Sequence, residues 1–301
     1  MKAVLLTGYG DVDNLELSEV VDPPLLSGHI KVRVTATSVN PVDYKMRRGD
    51  MRSWMPLDLP TILGRDVAGE VIQVGPGVSD LEVGDRVLGV VDHAYAELVV
   101  GPSEAFAKVP PELDLIEAAA VPLVALTGAQ LIEEAVDPKD GDIVLVTGAV
   151  GSVGRFAVYA AKQRGARVIA GVRASQKIKA EALDAESIVA LDDPEEVARL
   201  PKLDAIADTV DGQVLEGLLR SIKPGGVVGT VLGEPAGAKA RGLTVHTMLT
   251  HADPFRLGEM TEAVARGRVE LPIGESFPLA EVRRAQQTAE QPGSGKVLLL
   301  V

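Results

Sequence analysis

A chain of 301 residues with 46% hydrophobic and 24% charged residues can bury sizeable cores and is expected to form two domains rather than one. Its formal net charge of -13 sets it against nucleic acid and anionic membrane surfaces, both of which would repel it. It has no cysteine, which excludes disulfides, thiolate metal sites and a cysteine nucleophile and fits a reducing cytosol.

The opening MKAVLLTGYGDVDN carries too short an apolar run for a signal sequence, and no run reaches membrane-spanning length, so a cytoplasmic protein is expected. Residues 1–112 then read as mostly β: KAVLLT, LELSEVV, HIKVRVTATS, DVAGEVIQVG, DRVLGVV and AYAELVV, punctuated by Gly and Pro turns. A short helix, DYKMRRG, is expected after Pro41 and ends near Gly49. From about residue 114 the period becomes helical, DLIEAAAVPLVALTGAQLIEEA, with a break at Pro122. Strands and helices then alternate through IVLVT, ARVIAG, SIVAL, LDAIAD, GGVVGTVL and GLTVHTML. Six strands with crossover helices predict a doubly wound parallel sheet, an α/β fold. Helical runs near 254–266 and 279–290 follow. The last strand, KVLLLV, has no place in that sheet and is expected to return to the β-rich first domain.

The sharpest motif is VLVTGAVGSVG, Val144 to Gly154. A strand, a turn with glycines at 148, 151 and 154, and a helix start form a cradle for a dinucleotide pyrophosphate. Gly148, Val150, Gly151, Ser152, Val153 and Gly154 are the expected contacts. The same turn opens short-chain dehydrogenases, but those place it at the N-terminus and use a Tyr-x-x-x-Lys pair. Here Tyr159 and Lys162 are two residues apart, inside the helix leaving the turn. After the second strand there is no acid to bind a ribose 2′-hydroxyl. Arg173, Ser175 and Lys177 stand there instead and suit a 2′-phosphate, which points to NADPH. Leu232 and Gly233 end the fifth strand, at the edge where ligands lie in such sheets.

Seven segments in order, SVNPVDYKMRRG, LPTILGRDVAGEVIQVGPGV, GDRVLG, AYAELVV, AAAVPLVALTGAQ, VTGAVGSVG and GKVLLLV, resemble the medium-chain dehydrogenase/reductase superfamily along essentially the whole chain. The closer likeness is to its zinc-independent quinone oxidoreductase and alkenal/enone reductase branch. The resemblance implies a GroES-like, substrate-side domain from 1–115 and 267–301, and an NADP-binding Rossmann domain from 116–266. It also implies that Asn40 and Thr127 approach the nicotinamide. Zinc-dependent relatives take ligands from a Cys near the position of Asn40 and from a Gly-His-Glu turn, which here reads Gly64-Arg65-Asp66. No zinc ligand set is therefore expected, and Asp66 is expected to pair with Arg65 or to cap a backbone turn.

Without a Lewis acid, the implied reaction is hydride transfer from NADPH to the β-carbon of a small enone or quinone. Asn40, Tyr44 and Lys45 are the candidate donors to the carbonyl oxygen; some relatives carry Tyr where this chain has Lys45. Two alternatives stay open: an enoyl reductase of polyketide type, and a nucleotide-binding structural or regulatory protein with little turnover. GLTVHTML, an edge strand with no Pro to blunt it, suggests a homodimer.

Overall fold

The computed structural model describes residues 1–210 and 212–301, with only the backbone of Gln213. The chain divides into two compact units, residues 1–123 with 252–301, and residues 124–251. The sequence-based boundaries, 115/116 and 266/267, lie elsewhere: the contacts of Pro254–Ala265 group that helix with the first unit.

In the first unit the half-buried alternation of HIKVRVT produces the strand on which the rest assembles. The elements run β1 (Lys2–Leu6), β2 (Leu15–Glu19), β3 (His29–Val39), α1 (Pro41–Arg48), β4 (Thr61–Ile62), β5 (Asp66–Val74), β6 (Arg86–Val90), β7 (Leu98–Pro102), β8 (Phe106–Lys108) and α2 (Leu115–Ala118). A three-stranded sheet has the order β2-β1-β4, and β3 pairs antiparallel with both β5 and β7. Gly69 permits the β3–β5 approach, since a Cβ there would lie 2.0 Å from the Arg33 carbonyl oxygen. Buried Ile30, Val32, Val67, Val71 and Phe106 fill one core of this unit.

The second unit begins at Val124, just after Pro122, which breaks the expected long helix. Helix α3 (Pro122–Gln130) begins there and continues as a π-helical stretch, Leu131–Val136. Next come β9 (Ile143–Thr147), α4 (Ser152–Gln163), β10 (Arg167–Val172), α5 (Lys177–Ala180), β11 (Ser187–Ala190), α6 (Pro194–Ala198), β12 (Leu203–Asp208), α7 (Gln213–Leu218), β13 (Ile222–Thr230) and β14 (Thr244–Thr247). All six strands pair in parallel in the order β11-β10-β9-β12-β13-β14. This is the doubly wound sheet expected from the sequence, with Leu145, Ile169, Leu203, Ile206 and Val228 in its core.

The chain then returns to the first unit with α8 (Pro254–Ala265), β15 (Ile273–Pro278), α9 (Val282–Ala289) and β16 (Lys296–Leu300). Strand β16 adds antiparallel to β3, in the register Val297↔Val39 and Leu299↔Thr37. That register sets Lys296 opposite Asn40. The β3–β5 register, Ala36↔Ala68, likewise sets Asp66 opposite Ser38. Three distant stretches thus deliver polar side chains to one place.

Candidate functional site

The second unit supplies the glycine turn. Gly148 sits at φ +61°, and a Cβ there would lie 2.6 Å from both Thr209 Oγ1 and Val210 Cγ1. The amide of Gly151 donates to the Gly148 carbonyl at 2.8 Å, closing the turn. A Cβ on Gly154 would come within 2.2 Å of that same carbonyl, so only glycine lets α4 pack on the turn. Gly151 is the N-cap of α4, with no side-chain capping bond. The first amides of the helix, at Ser152 and Val153, are therefore open to an anion, and Val150, Ser152 and Val153 are all partly exposed. The residues present fit a dinucleotide pyrophosphate: a cradle that a Cβ would fill, facing a helix N-terminus.

Beyond β10, Arg173 and Ser175 are exposed. Lys177 is not a free cation, because its ammonium lies 2.8 Å from Glu196. The Ala174 amide donates to Asp192 at 2.7 Å. The sequence reading missed these two acids because they follow the third strand, not the second. It also missed Asp208. This buried carboxylate accepts from Thr147 at 2.7 Å and from Thr230 at 3.2 Å, tying together the ends of β9, β12 and β13. Thr127 bonds to the Thr250 hydroxyl at 2.7 Å. Leu232 is exposed, and Gly233 has φ +146°. The ring of His251 lies 3.0 Å from Glu134.

The first unit supplies a buried polar network around the start of α1. Asn40 is 1% exposed and Asp66 0%, so every polar atom there must find a partner within the protein. Asn40 Nδ2 donates to Asp66 at 2.8 Å, and Asn40 Oδ1 accepts from the Lys296 ammonium at 2.8 Å. Asp66 also accepts from Ser38, from the Leu123 amide at 2.7 Å and from Lys296 at 3.2 Å. The expected Arg65–Asp66 pair does not form. Alternation along the chain sends the neighbours to opposite sides, and Arg65 pairs with Asp92 at 2.9 Å. Lys296 was missed as Asp66's partner because it lies 230 residues away in sequence.

Asp43 completes the network. It is fully buried and accepts through Oδ2 from the Asn40 amide at 2.8 Å and from the Tyr95 hydroxyl at 2.9 Å. Burial pushes its carboxyl from the ordinary 3.8 up to about 7, and the nearby Asp66 charge adds to the rise against the pull of those donors and Lys296. Burial likewise raises Tyr95, with the Asp43 charge contributing. Tyr44 is half-buried and its phenol is raised, first by burial and then by Glu290.

The bases of α1 divide sharply. Arg47 is 2% exposed and binds Gln286 at 2.7 Å, the Gly10 carbonyl and Glu290. Arg48 also binds Glu290 and lies over the Tyr44 ring, 5.2 Å from its centroid. Lys45 is half-buried and makes no ion pair with a described residue.

Comparison with known proteins gives this geometry its family. The alcohol dehydrogenase GroES-like domain model matches residues 27–111, and the zinc-binding dehydrogenase model matches residues 183–299. The chloroplast envelope quinone oxidoreductase homologue of Arabidopsis thaliana is 31% identical, covering 99% of this chain and 98% of its own length. The chain belongs to the quinone oxidoreductase branch of the medium-chain dehydrogenase/reductase superfamily. A chloroplastic quinone-oxidoreductase homologue of Spinacia oleracea is 35% identical over 65% of this chain. The 2-methylene-furan-3-one reductase of Solanum lycopersicum is 34% identical over 77%. In both matches the chain spans 62% of the relative's own length. Among solved structures, the quinone oxidoreductase from Coxiella burnetii superposes with a TM-score of 0.89 at 28% identity, over 100% of this chain and 99% of that one. A mycobacterial protein solved with NADPH gives 0.85 at 27% identity, over 100% of both chains.

The description of the second matched model, a zinc-binding dehydrogenase, implies zinc, and the residues present do not fit that ion. The turn that carries a His ligand in zinc-dependent relatives holds Arg65, there is no cysteine, and no three His, Asp or Glu side chains among the described residues are grouped to hold a metal. Nor is any described helix long and apolar enough to cross a membrane.

Proposed function

We propose that this oxidoreductase reduces the activated double bond of a small α,β-unsaturated carbonyl compound or quinone, with NADPH as hydride source and without zinc. The observation that carries the reading is Lys45: an ammonium on α1 with no ion pair among the described residues, beside two arginines that both bind Glu290, the C-cap of α9. NADPH, when bound, supplies hydride to the β-carbon. The chain's own task is to hold the negative charge that gathers on the substrate's carbonyl oxygen. In this reading Lys45 and the Tyr44 hydroxyl are the donors. Tyr44's raised pKa keeps its proton in place. Asn40, whose carboxamide is committed to Asp66 and Lys296, fixes the helix start on which both donors ride.

Gly148, Val150, Gly151, Ser152, Val153 and Gly154 would hold the pyrophosphate. Arg173 and Ser175 would hold the 2′-phosphate, with Lys177 shared between phosphate and Glu196. Thr127, Leu232 and Gly233 would line the nicotinamide end. The solved mycobacterial relative binds NADPH, and the tomato relative is named for an enone substrate; both support the reading. We assign the protein to the cytosol and to a homodimer that pairs through β14. The test is a panel of enones, quinones and nitroalkenes, with NADPH consumption followed before and after prolonged chelation. Turnover that needs an added equivalent of zinc, or turnover of allylic alcohols alone, overturns the reading.

A further inference from the structure

The network at the start of α1 holds two carboxylates, Asp43 and Asp66, and one ammonium, Lys296, all at most 4% exposed. If both acids were ionised, the cluster would carry an uncompensated buried negative charge, which is costly in a low-dielectric interior. We propose that Asp43 keeps a proton in the folded protein, and that this proton, by leaving Lys296 a single charge to balance, fixes the start of α1 and so positions Tyr44 and Lys45.

The geometry says which acid holds the proton. Asp66 is surrounded by donors to the ionised form: Ser38, Asn40 Nδ2, the Leu123 amide and Lys296 itself. Asp43 has two donors, both on Oδ2, and its buried Oδ1 has no hydrogen-bond partner among the described residues. A carboxylate with a bare buried oxygen is poorly solvated; a carboxylic acid tolerates the same place far better. Each neighbouring charge has another commitment. Lys296 on β16 is bound to Asp66 and Asn40. Arg47, one turn along α1, is bound to Gln286 and Glu290. Tyr95 faces Asp43 as a neutral phenol, and the Tyr44 phenol is also neutral below its raised pKa. Asp66 on β5 adds only repulsion.

The consequence falls on α1. Asp43 is the third residue of the helix, and its carboxyl accepts from the N-cap amide of Asn40. Ionisation adds a second negative charge beside Asp66, and both acids then compete for Lys296. Asn40 hangs between the two acids through its amide and its carboxamide, so it must shift with them. In this assignment Asp43 touches neither substrate nor cofactor and is a positioning residue.

The kinetic consequence rests on the proposed function, whereas the existence of the proton does not. The first measurement is therefore urea unfolding of the cofactor-free protein against pH. The folded carboxyl holds its proton up to about pH 7, while the unfolded one releases it near 3.8. The native state then binds more protons between these values, so this group's contribution falls as pH rises from about 4 to about 7 and is level above. Asp43→Asn should remove that fall. Tyr95→Phe, by deleting a donor to the ionised form, should move its upper limit to higher pH. In the infrared, aspartate-labelled wild-type protein should show a protonated carboxyl C=O band at about pH 6 that is gone by about pH 8.5; this needs no variant to fold. With an enone, wild-type kcat should fall about tenfold per pH unit above the inflection, and Asp43→Asn should lack the inflection while its NADPH affinity is unchanged. Identical pH slopes in wild type and Asp43→Asn, or no such infrared band, overturn the inference. A band and a slope without any enone or quinone turnover would refute the proposed function and leave the proton standing.

Discussion

The ammonium of Lys296 donates to Oδ1 of Asn40 at 2.8 Å across 256 residues of sequence. The last strand of the chain thus secures the N-cap of the helix that carries the candidate donors. The bond follows from sheet register: Val297↔Val39 leaves Lys296 and Asn40 facing each other one step further on. The same ammonium pairs with Asp66, at 5% and 0% side-chain exposure. Removing one partner of such a pair strands a buried charge, at a cost of about 3–5 kcal/mol. Lys296→Met should lose stability of that order in urea unfolding. Adding Asp66→Asn should recover a large part of it, because the stranded charge goes too.

The glycine turn gives a second prediction. A Cβ on Gly154 would meet the Gly148 carbonyl at 2.2 Å, and that atom is backbone with no rotamer to yield. Gly154→Ala should push α4 away from the turn and carry the helix amides out of position. The expected result is loss of dinucleotide binding by titration calorimetry and a lower melting temperature. Gly217→Ala, where a Cβ meets nothing within 4 Å, should change neither by a comparable amount.

Much of this was legible in the sequence. The alternation of IVLVT, ARVIAG, SIVAL and LDAIAD with helical runs specifies a parallel sheet, because buried strands and amphipathic helices have different periods. Pro122 marks a break, and a helix indeed begins there. The glycine spacing marks the turn. The charged contacts were not legible. Lys296–Asp66, Arg65–Asp92 and Arg47–Glu290 join residues far apart or on opposite sides of a strand. A single sequence carries no register, and a one-residue slip would exchange the partners. The short strands Thr61–Ile62, Phe106–Lys108 and Ile273–Pro278 were missed for a related reason: they are formed by pairing rather than by local pattern.

Cofactor choice can be tested at Glu196. Its carboxylate sits 2.8 Å from the Lys177 ammonium and is held below the ordinary range chiefly by that bond. An incoming 2′-phosphate must compete with it. Glu196→Gln should therefore tighten NADPH binding and leave NADH binding unchanged. Arg173→Ala should weaken NADPH by about tenfold or more, since a hydrogen bond to a charged group is worth roughly 1.5–3 kcal/mol. Dissociation constants for both nucleotides, measured by fluorescence titration, check the pair of effects.

Strand β14 ends the parallel sheet, and Thr244, His246 and Thr247 are exposed on it. A second copy pairing there would satisfy the open strand edge. Light scattering at micromolar concentration should give twice the 31.5 kDa chain mass. Val245→Pro removes a backbone donor and should shift the mass towards the monomer.

The last prediction concerns the reaction itself. Carbonyl reduction would place negative charge on an alkoxide and demand an immediate proton donor. Conjugate reduction spreads that charge into an enolate, which hydrogen bonds can hold until solvent protonates it. The ammonium of Lys45, which pairs with no acid among the described residues, suits the second demand, because it offers a charge without needing to surrender a proton. Removing one such donor typically costs about 10²–10³ in rate. Lys45→Ala should therefore lower kcat by that order with little effect on NADPH affinity. Asn40→Ala should lower kcat and also stability, because it leaves Lys296 and Asp66 each without a partner they now have. That difference separates a donor from a residue that positions one. With NADPH deuterated at the transferring carbon, the label should appear on the β-carbon of the product. Label on the carbonyl carbon, as in an allylic alcohol, would show that hydride goes to the wrong atom for this mechanism. Lys45 would then have to be reassigned as a substrate-binding charge.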